Sequence, residues 1–96
     1  MIIVMAAITV KPEKKGALVP LTLDLILNTR GEKGCISYEL FSSTENDYSQ
    51  TFVEKWESME ALNEHMKSPH FISFGEKTKD FFSKPMEIKL YEANEA

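Results

Sequence analysis

The chain predicts an α+β fold of the ferredoxin-like kind, a four-stranded antiparallel sheet with helices on one face. Two observations support it. Strand-like and helix-like segments follow one another in the order βαββαβ, with the second helical region divided at Ser68-Pro69. An apolar fraction of 43% over 96 residues is enough for one core. We therefore expect a single domain over 1–96, with a flexible tail over about 92–96.

The first two elements follow from β-branched and helical patterns. Ile2 to Val10 is rich in β-branched residues and stops at Lys11-Pro12, which predicts a strand followed by a turn. Apolar residues at helical spacing predict a helix over Glu13 to Arg30. Pro20 removes a helical hydrogen bond at a cost of about 3 kcal/mol. Either the regular helix begins near Val19, or it is kinked.

The second half supplies the remaining elements. The predicted strands are Cys35–Ser43, Thr51–Glu57 and Pro85–Tyr91, and the predicted helices are Met59–Lys67 and Pro69–Phe82. Ser58 and Ser68 can cap the two helices, and Pro69 suits a first helical position. Alternation should place Ile36, Tyr38 and Leu40 on one side of the second strand. The last helix should bury Phe71, Phe74, Thr78 and Phe81.

The first strand is apolar on both faces. One face carries Ile2, Val4, Ala6, Ile8 and Val10, and the other carries Ile3, Met5 and Ala7. The helices of one subunit cover only one face of a sheet, so a second apolar face favours a second layer. We expect a homodimer whose two sheets pack against each other.

The charge and the cysteine count exclude several classes of protein. With 11 basic and 15 acidic residues the net charge is −4, so we expect no nucleic-acid partner. The single cysteine, Cys35, cannot form an intramolecular disulfide, and we interpret it as a small buried hydrophobic residue. This fits a reducing compartment. The apolar N-terminus is too short to span a membrane and lacks the basic start of a signal peptide. These features predict a cytoplasmic protein without a membrane partner.

The segment from Trp56 to Phe71 carries the chemistry. An indole, two imidazoles and nearby phenylalanines can surround a flat organic molecule and move its protons. No phosphate loop, nucleophile elbow or dinucleotide motif is present. The pattern favours small-molecule chemistry in an apolar pocket, with no cofactor.

Four segments resemble the antibiotic biosynthesis monooxygenase family. They are Val10-Lys11-Pro12, Gly34-Cys35-Ile36-Ser37-Tyr38-Glu39, Glu54-Lys55-Trp56-Glu57-Ser58 and Ser68-Pro69-His70-Phe71. The likeness extends from about Ile2 to Leu90 and is most specific from Trp56 to Phe71, which is similar to the quinol monooxygenase branch. The resemblance implies a dimeric α/β barrel that oxidises quinols or polyphenols with molecular oxygen, without flavin, haem or metal.

The family's functional residues match only in part. Members that oxidise polyketide phenols have an asparagine where Phe52 stands and a tyrosine where Leu62 stands. Haem-degrading members use an asparagine, a tryptophan and a histidine, and the matching positions here are Ala6, His65 and Gly75. This difference argues against haem cleavage. The residues shared with the quinol branch are Trp56, His65 and His70.

His65 is the expected catalytic base, helped by His70. An imidazole with an ordinary pKa of about 6.5 suits the removal of a proton from a quinol at neutral pH. The alternatives are a half-exposed His65 and a His70 at the surface or at a dimer edge. A metal site is not expected, because a proline break separates the two histidines and no carboxylate completes the set.

Five residues are expected to bind the substrate: Trp56, Tyr38, Phe71, Phe74 and Glu54. Trp56 could equally be a core anchor where a strand meets a helix, and the other aromatic residues could be core packing. Glu54 shares a strand face with Trp56, so burial would raise its pKa and make it a usable base. The alternative for Glu54 is a cross-strand ion pair.

The sequence thus predicts an enzyme, a cofactor-independent monooxygenase of a quinol or polyphenol. Two alternatives need the same fold and pocket. An isomerase of a small carbonyl compound could use the same histidines, and a non-catalytic dimer could bind an apolar ligand.

Overall fold

The computed structural model describes all 96 residues. The elements are β1 (Ile2–Thr9), a 3₁₀ turn (Pro12–Lys14), α1 (Lys15–Arg30), β2 (Cys35–Ser42), β3 (Ser49–Trp56), α2 (Met59–Met66), α3 (Pro69–Thr78) and β4 (Glu87–Glu92). The strands form one antiparallel sheet in the order β2-β3-β1-β4. This topology confirms the predicted ferredoxin-like arrangement.

The helix α1 runs without interruption through Pro20. The alternative in which the regular helix begins near Val19 is therefore wrong, because the helix already begins at Lys15. Pro20 has no N–H to donate to the carbonyl of Gly16. Both residues are exposed, so water can bind that carbonyl in place of the missing donor.

Both predicted serine caps are confirmed. Ser58 Oγ accepts a hydrogen bond from the Ala61 N–H at 3.1 Å, and Ser68 Oγ accepts one from the Phe71 N–H at 3.3 Å. Each satisfies one of the free N–H groups in the first turn of a helix. The break between α2 and α3 therefore lies where the sequence predicts it.

The predicted end of α3 is wrong by four residues. The helix stops at Thr78 because the following residues pair with the chain after β1. The Lys11 N–H donates to the Phe81 carbonyl at 2.8 Å, and Phe82 forms an isolated bridge with Val10. Phe74 and Thr78 are buried as expected, whereas Phe71 and Phe81 are only half-buried.

The core lies between the sheet and the helices. All five predicted residues of the first face of β1 are buried, together with Leu18 and Leu25 of α1. Ile36 departs from the prediction, since it is 51% exposed. A bulge between Cys35 and Ser37 takes Ile36 out of the alternation that buries Tyr38.

No helix covers the core-side face of β4. Ile88 and Leu90 pair with Ala6 and Val4 and share their face, but remain 56% and 47% exposed. Backbone pairing continues beyond Glu92, where the Ala93 N–H donates to the Met1 carbonyl at 2.9 Å. None of the three helices has the length and apolar character needed to cross a membrane.

Candidate active site

A cavity of about 320 Å³ lies between the sheet and the helices α2 and α3. Thirteen of its eighteen lining residues are hydrophobic, and its size falls in the range of about 300–1,000 Å³ that small-molecule sites occupy. The exposed side chains of Met66, Met86, Ile88 and Leu90 belong to its wall. The cavity therefore opens toward β4, where the helices leave the sheet uncovered.

Five of the seven predicted site residues line this cavity. They are Tyr38, Glu54, His65, Phe71 and Phe74. Trp56 and His70 lie behind the lining, each against His65. The predicted pocket is thus assembled from β2, β3, α2 and α3.

Glu32 joins the two histidines. Its Oε2 lies 2.6 Å from Nδ1 of His65 and 2.8 Å from Nε2 of His70. A carboxylate oxygen can only accept hydrogen bonds, so both ring nitrogens donate to it. Because Nδ1 of His65 carries a hydrogen, a neutral His65 has its lone pair at Nε2.

The Nε2 atom of His65 is buried without a hydrogen-bond partner. The residue is 1% exposed, which rules out the half-exposed alternative. Burial lowers the pKa of His65 below its ordinary value, and the adjacent Glu32 carboxylate opposes part of that decrease. At neutral pH the imidazole is therefore neutral and able to accept a proton. A ligand hydroxyl at Nε2 would supply the missing hydrogen bond.

Trp56 is completely buried and connects two titratable residues. Its Nε1–H donates to Glu54 Oε1 at 3.0 Å, and its ring centroid lies 4.7 Å from that of His65. This placement supports the core-anchor alternative. A direct contact between Trp56 and a substrate stays a prediction.

Glu54 is a buried carboxyl group without a cation. It is 5% exposed, and its neighbours on the adjacent strands are Val4 and Tyr38. The cross-strand ion pair considered for Glu54 is therefore wrong, since the salt bridges join other residues. Burial raises the pKa of Glu54 to about 7, the Trp56 hydrogen bond opposes the increase, and the charge of Glu32 adds to it.

The aromatic side chains of the wall pack around His65. Its ring centroid lies 5.4 Å from that of Tyr38 and 4.9 Å from that of Phe71. Burial raises the pKa of Tyr38, so its hydroxyl stays protonated at neutral pH. Phe74 meets Phe52 edge to face at 6.1 Å. These contacts fix the imidazole plane and exclude water from one side of it.

Glu32 is the site residue that sequence reasoning missed. It stands in Gly31-Glu32-Lys33-Gly34, a pattern typical of an exposed turn. It supplies the carboxylate that the sequence alone does not place beside the two histidines. Ligand atoms of Glu32, His65 and His70 lie within 4.8 Å of one another. They are the residues that could hold a metal ion, although both histidine N–H groups that face Glu32 already donate to it.

Comparison with known proteins gives consistent matches. Residues 1–77 match the family model described as "Antibiotic biosynthesis monooxygenase". The chain is 40% identical over 94 residues to "Uncharacterized protein sll1783" of Synechocystis sp., covering 98% of this chain and 64% of that protein, less than two thirds of its length. It is 32% identical over 95 residues to "Putative monooxygenase YcnE" of Bacillus subtilis, covering 99% of this chain and 100% of that protein.

The fold is also found in solved structures. The crystal structure of a conserved protein from Methanosarcina mazei Go1 superposes with a TM-score of 0.93 at 33% sequence identity. The superposition covers 97% of this chain and 92% of that one. The similarity therefore includes all the elements that build the cavity.

Proposed function

The chain belongs to the antibiotic biosynthesis monooxygenase family, and on this premise we propose that it oxidises a quinol or polyphenol with molecular oxygen, without flavin, haem or metal. The family model and the name of the Bacillus relative support a monooxygenase-like function. One observation supports the finer proposal. A neutral histidine with an unpartnered, buried Nε2 stands at the wall of an apolar cavity.

His65 begins the proposed reaction by accepting the proton of a substrate hydroxyl at Nε2. Glu32 stabilises the resulting imidazolium through its hydrogen bond to Nδ1. The apolar wall solvates the quinolate poorly, which favours transfer of its electrons to oxygen. The cavity also holds the two reactants together, which removes part of the entropic barrier.

The substrate supplies all the electrons that the reaction needs. The quinolate passes one electron to oxygen, and the radical pair combines to form a bond between a ring carbon and oxygen. The peroxide takes the proton from His65. When the O–O bond breaks and the ring carbon loses its hydrogen, a carbonyl forms and the departing oxygen leaves as water. One quinol and one O₂ give one hydroxyquinone and one water.

We also propose that two copies pair through the open faces of their sheets. Met5, Phe41 and Tyr91 lie on the face that the helices leave uncovered, by the strand registers. They are 42%, 52% and 47% exposed. The same face also carries Glu39 and Lys89, so its apolar side chains form a patch among charged ones, and such an exposed patch marks an interaction surface. A second copy offers a surface of the same chemistry and completes the second layer.

The proposed setting is the reducing cytoplasm. Cys35 is the only cysteine and is half-buried beside the core. Burial raises the pKa of its thiol, so it is a poor nucleophile and needs no partner.

Oxygen uptake by chelator-treated protein, given a panel of quinols against an autoxidation blank, tests the proposed reaction. We expect uptake above the blank that is lost in His65→Ala and retained in Glu64→Ala, an exposed neighbour on α2. Uptake that survives His65→Ala would contradict the role of His65. Turnover that persists without oxygen would favour the isomerase, and ligand binding without any turnover would favour the binding protein.

A further inference from the structure

We propose that Glu54 is the acid of the same site and protonates the departing oxygen when the O–O bond breaks. The inference rests on the proposed function, in which His65 is the base. At the moment of O–O cleavage His65 accepts the ring hydrogen, so the departing oxygen needs another proton donor. Glu54 is the carboxyl group that lines the cavity with His65.

The position of Glu54 suits a group that meets the substrate. It lies on the core-side face of β3 between Val4 and Tyr38. The indole of Trp56 donates to Oε1 and so fixes the carboxyl group. No second hydrogen bond within the protein holds Oε2, which leaves this oxygen available to a ligand in the cavity.

The same indole places the acid beside the base. Trp56 donates through Nε1 to Glu54, while its ring lies against the imidazole of His65. The two titratable groups belong to different elements, β3 and α2, so their relative position is set by packing around Trp56. Both face a cavity whose lining is mostly apolar and so offers few competing proton donors or acceptors.

Burial and the charge of Glu32 favour the protonated form of Glu54, and the hydrogen bond from Trp56 opposes it. Five titratable groups lie on the segments that surround Glu54. They are Tyr38 and Cys35 on β2, His65 on α2, Glu32 in the loop before β2, and Lys79 after the end of α3. The adjacent residue of β1 is apolar, and Lys79 forms no salt bridge with Glu54. Burial is the main cause that raises the pKa of Glu54 to about 7, so a large share of the molecules carries the proton at neutral pH.

The protons balance over one turnover. His65 takes the hydroxyl proton and returns it to the peroxide. His65 then takes the ring hydrogen as a proton, the electron pair of that C–H bond forms the carbonyl, and Glu54 protonates the departing hydroxide to give water. Transfer of a proton from His65 to Glu54, through an oxygen of the product or a water, restores both groups.

The protonation state of Glu54 can be measured in the wild-type protein without any turnover. Infrared difference spectra should show a carboxylic C=O stretch that disappears as the pH rises through about 7. We expect this band to be absent in Glu54→Gln and retained in Glu76→Gln, which changes an exposed carboxyl of α3. A Glu54 that is already ionised well below neutral pH overturns the inference.

The pH dependence of oxygen uptake tests the role in catalysis. Wild-type kcat/KM should fall above about pH 7, where Glu54 loses its proton, and should fall on the acid side, where His65 gains one. Glu54→Gln, with its fold checked by circular dichroism, should lower the rate about a hundredfold or more and remove the alkaline fall. The control Glu76→Gln should keep both the rate and the alkaline fall.

The two proposals fail in different ways. If wild type takes up oxygen and Glu54→Gln matches it in rate and pH profile, this inference alone is overturned. If wild type takes up no oxygen with any quinol, the proposed function is overturned.

Discussion

At the scale of single residues, Glu32 decides how His65 can act. Its carboxylate oxygen accepts hydrogen bonds from both histidines, which leaves the lone pair of His65 at Nε2. Either ring nitrogen of a free imidazole can carry the hydrogen. The function proposed for His65 therefore depends on a residue that does not itself line the cavity.

Replacement of Glu32 should cost both stability and activity. Glu32→Ala leaves the buried Nδ1–H of His65 without an acceptor, so we expect the free energy of unfolding to fall by about 1–3 kcal/mol. Oxygen uptake should also fall, because the tautomer is no longer fixed. Urea denaturation and uptake assays measure the two effects. Glu60→Ala, which changes an exposed carboxylate on the same side of the molecule, is the control; equal behaviour of the two variants would contradict this role of Glu32.

At the scale of elements, the junction between α2 and α3 brings the two histidines to one carboxylate. Ser68 Oγ donates to the His65 carbonyl at 2.6 Å and accepts from the Phe71 N–H. One hydroxyl thus joins the end of α2 to the start of α3. Only Lys67 and Ser68 separate the two helices, so the backbone changes direction over two residues, and His65 and His70 both reach Glu32.

The loop that carries Glu32 depends on a glycine that packs against α2. Gly34 has a φ of +85°, and a Cβ there would lie 2.5 Å from Cβ of Ala61. We expect Gly34→Ala to lower the free energy of unfolding by at least about 1–3 kcal/mol, from backbone strain with the clash in addition. Gly31→Ala is the matched control, because its φ is −82° and its nearest contact would be an ordinary 3.5 Å. Thermal unfolding of both variants measures the difference, and equal stability would contradict this account.

At the scale of the whole molecule, the sheet is covered unevenly. The helices bury the core-side face of β1 and β3 but leave β4 exposed, and the opposite face has no cover within the chain. The uncovered core-side face of β4 forms the mouth of the cavity. The opposite face of the sheet is the surface proposed for the dimer.

The dimer proposal predicts which surface is sensitive to charge. Sedimentation equilibrium should show a dimer for wild type and a monomer for Phe41→Glu, because Phe41 stands opposite the uncharged Thr51 and a carboxylate there would be buried in the dimer without a counter-ion. Leu27→Glu is the control, since it places the same charge on an exposed apolar site of α1. A monomeric wild type, or dissociation by Leu27→Glu instead, would contradict pairing through the sheet.

Local patterns predicted most of the fold. The sequence predicted the two capping serines, the buried face of β1 and the break at Pro69, because caps and periodic burial depend on residues within a few positions. The sequence did not predict the end of α3 or the exposure of Ile36. Each depends on pairing with a distant segment, and that pairing overrides the local preference.

By itself, the sequence determined the order of the elements, the core face of the sheet and the identity of the aromatic and histidine residues near the cavity. Only the tertiary structure decided what those residues can do. Glu32 lies 33 residues from His65 and 38 from His70, and Glu54 has Val4 and Tyr38 beside it instead of a cation. The physical reason is that a lone pair, a tautomer or a raised pKa depends on which groups from distant segments meet in space and how far they are removed from water.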